Sequence, residues 1–277
     1  MSRFEKVRRQ KPEDFLREVG IRLETFMLLL KKIREYLHEE QEKQPVKKRG
    51  RKSAVCLEDR LLLTLYYLRH YETFSRLGGQ FGIHESYACK IYHQMLNILL
   101  KVLDMKGRKE LLNSDLDTIL IDVTEQPIER PKRRQRAYYS GKKKCHTIKV
   151  QVVVCLMTLQ IYSVICNKGR VHDFRILKES KLKISSEIKK LGDLGYQGLE
   201  KLYENSYTPV KKSKNRPLTE EDKKYNRELS RIRIHIEHIN RRCKIFRITK
   251  EVYRGKHKNY GKYWNVIAAL VNLRYAA

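Results

Sequence analysis

Apolar residues recur at three- and four-residue spacing through Leu23, Phe26, Met27, Leu30, Ile33 and Leu37, a period that predicts an amphipathic helix from Arg22 to about Glu42. Its apolar face needs a partner, either within the chain or on a second protomer. A further helix is expected from Leu57 to Tyr71. From Thr73 to Tyr92 the rhythm is that of a helix-turn-helix: Phe74, Leu77 and Phe81 would bury the first helix, Gly82 makes the turn, Ile83 plugs it, and Ala88, Ile91 and Met95 would bury the second. His84, Glu85, Ser86, Tyr87 and Lys90 are then exposed near the start of the second helix, and Ser86, Tyr87 and Lys90 are the candidates for contacting DNA. Two ordinary packed helices give a similar spacing, so the pattern alone leaves both readings open.

After Asn113 the period changes. Thr118 to Thr124 is a short β-branched run, and Thr147 to Cys155 alternates before turning continuously apolar, as a strand does near the centre of a sheet. Ile161 to Cys166 follows as a third strand. A helix is expected over Asp173 to Lys190, a brief strand over Leu191 to Asp193, a fifth strand over Tyr207 to Lys212, and a long helix from about Thr219 to Phe246. The expected class is therefore α/β, a mixed sheet flanked by helices and preceded by an all-α N-terminal region.

Charge narrows the partners. Among 277 residues, 61 Lys and Arg face 32 Asp and Glu, a formal net charge of +29 at pH 7. Self-repulsion of that size suits a chain whose partner is a polyanion, nucleic acid above all, although anionic membranes attract the same balance. With 41% apolar and 9% aromatic residues the chain is globular rather than a disordered basic tail. No run approaches the roughly 18 apolar residues needed to span a bilayer, and the N-terminus lacks an apolar signal core, so a cytoplasmic, nucleoid-associated protein with no membrane partner is expected. Six cysteines, Cys56, Cys89, Cys145, Cys155, Cys166 and Cys243, are scattered singly without a CxxC pair and read as small buried hydrophobes. Pro45 to Ser53 carries a basic run with both turn formers, an exposed linker or a phosphate-contacting arm.

Three carboxylates are candidates for chemistry. Asp122 lies inside a strand of Ile, Leu and Val, where an uncompensated charge costs several kcal/mol. Asp193 sits at a strand end before Leu-Gly-Tyr-Gln-Gly; a turn or cap is the plainer use of such a residue. On the long helix, Ile232, Ile236, Ile239, Cys243 and Phe246 form one stripe, and Arg233, Glu237, Asn240 and Lys244 form another roughly 120° away. Glu237 can lean from that edge toward the strand ends, or pair with Arg233 on a solvated face. His235 is expected to point toward the apolar stripe as a core histidine, and His235, Glu237 and His238 do not have zinc spacing. Hard oxygen donors without a Cys or His cluster suit Mg²⁺ or Mn²⁺, and two such ions about 3.5–4 Å apart serve in-line displacement at a phosphodiester. Between the first two strands, Arg130 to Lys149 holds nine basic residues and no acidic one. Arg133, Arg134, Arg136, Lys142, Lys143 and Lys144 lie there with Tyr138 and Tyr139 interleaved, a composition that binds phosphates and stacks bases.

In order, Asp122-Val-Thr-Glu-Gln-Pro-Ile-Glu-Arg-Pro131, Tyr139-Ser-Gly-Lys-Lys-Lys-Cys-His-Thr-Ile-Lys149, Val171-His-Asp173, Gly192-Asp-Leu-Gly-Tyr-Gln-Gly198 and the helix with Arg233, Glu237 and Lys244 resemble the insertion-sequence-five group of DDE transposases. The resemblance spans most of the chain. It implies an RNase H-like catalytic domain with Asp122, Asp193 and Glu237 as a triad holding two Mg²⁺ or Mn²⁺ ions, and an N-terminal helix-turn-helix for terminal inverted repeats. Arg233 and Lys244 would clamp scissile-strand phosphates, and His172 and Asp173 would order the site from behind, with a helix cap by Asp173 as the simpler role. Related chains carry Tyr-x2-Arg-x3-Glu-x6-Lys around the last carboxylate; here Ser230 stands at the tyrosine position. The implied division is a helical segment over 1–45, a basic linker over 46–53, a helix-turn-helix domain over 54–112 and a catalytic domain over 113–277. The implied reaction is cleavage at the element ends followed by attack of the freed 3′-hydroxyl on target DNA, by a homodimer or higher oligomer on double-stranded DNA. A nuclease that cuts without joining and a catalytically inactive DNA-binding regulator are the rival readings.

Overall fold

The structure is a computed structural model that describes residues 2–43, 53–103, 107, 109–112, 116–213 and 216–273. Apart from Ser53, the basic linker 46–53 lies outside the described residues. Helices α1 (Arg3–Val7), α2 (Pro12–Val19) and α3 (Leu23–Lys43) open the chain. Proline at the first turn of α2 and left-handed Gly20 after its end fix that helix's limits. Buried Asp59 of α4 (Leu57–His70) accepts hydrogen bonds from the Arg3 and Phe4 amides at 3.2 and 2.7 Å, so a carboxylate seats the N-terminus of α1.

The predicted helix-turn-helix forms as α5 (Phe74–Phe81) and α6 (Glu85–Val102). Thr73 caps α5 through its side chain, and Gly82 takes the left-handed conformation (φ 63°) that ends it. Leu77, Ala88, Ile91 and Met95 are buried as expected, and Phe74, Phe81 and Ile83 pack against them half-buried. One core unites these helices with the C-terminal helices, running through Phe26, Leu62, Met95, Ile239, Phe246 and Trp264.

The remaining elements are β1 (Thr118–Pro127), α7 (Gln135–Tyr138), β2 (Tyr139–Ser140), β3 (Cys145–Cys155), β4 (Ile161–Lys168), α8 (Asp173–Ser180), β5 (Lys189–Leu191), β6 (Ser206–Tyr207), α9 (Glu220–Cys243) and α10 (Tyr260–Leu273). The sheet is mixed: β4, β3 and β1 are antiparallel neighbours, β5 and β6 continue in parallel beyond β1, and β2 pairs with the start of β3. Side-chain alternation along β1 divides the sheet into two faces. Leu120 faces the core shared with α9 and α10, whereas Ile119 and Ile121 face a smaller core with Leu177, Ile188 and Tyr196. Helices thus flank the mixed sheet, the class the sequence predicts.

Expectations for two elements and for the cysteines need correction. The helix expected over Asp173 to Lys190 stops at Ser180, because Lys181 turns left-handed (φ 49°) and Lys189–Leu191 pairs with β1 instead. Buried Lys190 on β5 donates to the Ser185, Ser186 and Glu204 carbonyls at 2.6, 3.3 and 2.9 Å, so this cation ties loops rather than binding a ligand. The fifth strand keeps only Ser206–Tyr207; Pro209, which has no amide to donate, follows within two residues. The third concerns the cysteines: all six are free, but Cys56 is exposed ahead of α4, and only Cys155 and Cys243 are fully buried.

Candidate active site

Asp122 lies mid-strand on β1, on the sheet face covered by α9. Thr219 and Asp222 form a capping box that starts α9, and Ile236, Ile239 and Cys243 bury one stripe of it against the sheet. The adjacent stripe, Arg233, Glu237, Asn240 and Lys244, lines a cavity of about 930 Å³ together with Asp122 and Asp193. Within it, Asn240 Nδ2 donates to Asp122 Oδ2 at 2.9 Å. The Arg233 guanidinium stands 3.8 Å from Asp122 Oδ1 and 4.0 Å from Asp193 Oδ2, so a single cation spans two carboxylates from different elements. Asp193 follows β5 and is held by its own turn, accepting from the Gly195 amide at 2.8 Å. Burial first, and then the Asp193 charge, push the Asp122 carboxyl up to about 6 against the pull of Arg233. Burial likewise lowers the Lys244 ammonium, opposed by Asp122.

On the opposite face of the sheet, odd-numbered Glu125 and Lys149 sit in register across β1 and β3. Lys149 Nζ lies 3.7 Å from Glu125 and 2.8 Å from Asp173, and also donates to the Val171 carbonyl at 2.9 Å. Asp173 is the first residue of α8 and is held by this lysine; His172 occupies the cap position, exposed and without a side-chain cap bond. Both residues line the cavity. Gly195 lies between the acidic groups: a Cβ there would meet Asp193 Oδ1 at 2.9 Å and Asp173 Oδ2 at 3.0 Å.

The expected triad therefore shares one cavity, but it is not a closed cage. Among the described residues, no three His, Cys, Asp or Glu side chains cluster closely enough to hold a metal ion. Advancing about 100° per residue, Glu237 lies further from the buried stripe than Arg233, Asn240 or Lys244 and is exposed, whereas Asp122 and Asp193 meet at Arg233. The donor set nevertheless fits a hard divalent cation. It consists of carboxylate oxygens that already share a cation, beside Asn240 Oδ1, a buried oxygen without a hydrogen-bond partner.

The basic candidates divide. Lys142 and Lys143 line the cavity with Tyr139, whose ring meets His146 edge-on and is 43% exposed. Arg136 lies on an adjoining shallow surface with Tyr139, Arg130 and Arg170. Arg133, Arg134 and Lys144 are exposed outside the cavity. On α6, Ser86 and Lys90 are exposed as expected, but Tyr87 is half-buried with its hydroxyl 2.9 Å from that of Ser53. His235 is exposed rather than in the core, since it falls roughly 40° outside the edge of the buried stripe at Ile239. Sequence reasoning assigned no role to Asn240, although it lies on the polar stripe, and missed the Glu125–Lys149–Asp173 cluster, which the hairpin register pairs once β1 and β3 are aligned.

Residues 121–272 match the family described as DDE superfamily endonuclease, and residues 53–104 match the helix-turn-helix of DDE superfamily endonuclease. The chain is also 39% identical, over 278 residues and 99% of both chains, to the probable transposase for insertion sequence element IS702 of Microchaete diplosiphon. The chain belongs to the DDE superfamily of endonucleases, as a transposase-type member with a helix-turn-helix domain. Endonucleases of this superfamily use divalent metal ions, usually Mg²⁺. Among the described residues no helix is long and apolar enough to cross a membrane.

Proposed function

We propose that this protein is a DNA transposase of the insertion-sequence-five group that binds the terminal inverted repeats of its element, cleaves the ends and joins the 3′-hydroxyl to target DNA. The observation that carries this reading is the Asp122–Arg233–Asp193 bridge at the floor of a cation-rimmed cavity. Asp122, Asp193 and Glu237 would hold two divalent ions, Mg²⁺ or Mn²⁺. Bound there, the pair supplies activation of the attacking oxygen and stabilisation of the leaving one.

The chain's own groups do the rest. Arg233 and Lys244 bind scissile-strand phosphates; for Arg233 this means exchanging its carboxylate partners for phosphate oxygens, a geometry a guanidinium serves well. Lys142, Lys143 and Lys144, with Arg133, Arg134 and Arg136, hold the duplex along the β1–β3 hairpin, and Tyr139 stacks an unpaired base. Ser86 and Lys90 read the repeat from the start of α6, and Tyr87 positions that helix through Ser53. Asp173, clamped by Lys149, keeps the Asp193 turn in place, with His172 at its rim. Holding two ends together requires a homodimer or higher oligomer on the DNA.

The test is cleavage and joining in Mg²⁺ of a labelled duplex carrying the DNA that flanks the reading frame. Asp122→Asn, Asp193→Asn and Glu237→Gln should each lower the rate by roughly 10²-fold or more. Hydrolysis without a strand-transfer product would favour a plain nuclease. Binding with no cleavage in any divalent cation would favour a regulator.

A further inference from the structure

A second groove, about 680 Å³ in volume, lies between the helix-turn-helix and the catalytic unit, away from the carboxylates. The segment leading into α10 and the first turn of that helix form one wall and carry Arg254, Lys256, Lys258 and Lys262, all exposed. Phe74, Tyr92, His93 and Asn97 of the helix-turn-helix form the other. Its acidic lining residue, Glu72, is already neutralised by Arg76 at 3.4 Å and accepts from Gln80 at 2.7 Å. Arg254 is fully used as a brace: its guanidinium lies 4.3 Å over the Tyr71 ring and donates to the Tyr71 carbonyl. The three lysines are different. Among the described residues, Lys256 and Lys258 have no carboxylate partner, and Lys262 donates only to the Asn97 side chain at 3.1 Å.

Their position gives these charges a use. At about 100° per residue, Ser86, Lys90, His93 and Asn97 fall on one exposed stripe of α6. Lys262 touches the far end of that stripe, and burial first, then the charges of Lys262 and Lys256, lower the His93 pKa. At the other side of the segment, the His257 ring packs 4.9 Å from that of Tyr138, which precedes the cavity-lining Tyr139 and the basic hairpin. The segment therefore runs from the recognition helix to the rim of the catalytic cavity and, among the described residues, presents ammonium groups without carboxylate partners along the way.

We infer that Lys256, Lys258 and Lys262 form a phosphate-binding track that carries the backbone of duplex DNA from α6 to the catalytic cavity, coupling recognition to cleavage position. This rests on the DNA-binding reading above.

Lysine acetylation of the full-length protein, followed by mass spectrometry with and without a mixed-sequence DNA duplex, tests it. Lys256, Lys258 and Lys262 should react several-fold more slowly in the complex. In addition, a K256Q/K258Q/K262Q variant should show a log–log salt dependence of binding shallower by about 2–3, near 0.9 for each lost phosphate contact. If Lys90 and Lys142 are protected while these three react at the free rate, the track is overturned and the DNA-binding reading stands. If no lysine is protected, both fall.

Discussion

Asn240 gives one side-chain proton to Asp122 at 2.9 Å and leaves its own buried oxygen without a donor. A strand carboxylate and a helix amide are thus locked in one geometry, and an oxygen that water or protein would ordinarily satisfy stays beside the candidate cation site. Asn240→Asp converts the hydrogen bond into a repulsion between like charges. The metal-free variant should melt below the wild type at neutral pH, and Mn²⁺ should raise its melting temperature by more than it raises that of the wild type. An equal Mn²⁺ effect in both would remove Asn240 from the site.

The raised Asp122 carboxyl makes metal-free stability depend on pH in a definite direction. Its folded value of about 6 exceeds the unfolded value of about 3.9, so the folded state holds its proton more tightly. The stabilisation is complete below pH 4 and is lost as pH rises through 6, about 3 kcal/mol in all. Urea unfolding of wild type and Asp122→Asn at several pH values between 4 and 7 isolates this contribution by difference. The gap between the two curves should change by that amount; parallel curves would show that Asp122 titrates normally.

How much of this was legible beforehand follows from period and neighbourhood. Helices α3, α5 and α6 are readable because each buries one face and repeats its apolar residues accordingly, and α4, β1, β3 and β4 because their apolar runs are too dense for a loop. The end of α8 was not, since Lys181 leaves the helix without a glycine or proline to mark the break. Asp122, Asp193 and Arg233 stood out as charges in apolar surroundings or in ordered motifs. The role of Asn240 did not, because an amide on a polar stripe is indistinguishable from a solvated one until the helix is docked. By sequence Lys149 belongs with the basic hairpin, and only the strand register turns it from a free cation into the partner of Glu125 and Asp173.

Gly195 should be intolerant of a methyl group although its backbone is ordinary. Its Cβ position is 2.9 and 3.0 Å from oxygens of Asp193 and Asp173, so Gly195→Ala must push two carboxylates apart. We expect a loss of DNA cleavage on the order of 10-fold or more with a small change in melting temperature, because the displaced atoms belong to the site rather than to the core. Full activity in Gly195→Ala would show that the spacing of these carboxylates does not matter.

The neighbouring glycines of α5 give opposite predictions. A Cβ on Gly78 would stand 2.5 Å from the Ile83 carbonyl oxygen, across the turn where the Ile83 amide donates to the Gly78 carbonyl at 2.9 Å. Gly78→Ala therefore forces α5 from the entry to α6 and should cost about 1–3 kcal/mol, displacing Ser86 and Lys90 and weakening DNA binding. Gly79 meets nothing within 4 Å and lies inside the helix, where alanine restricts the unfolded chain without a clash. Gly79→Ala should stabilise by about 0.4–1 kcal/mol and leave binding unchanged. Chemical denaturation combined with a DNA-binding titration separates the two; if both substitutions behave alike, the close approach at Gly78 does not set the angle of the helix-turn-helix.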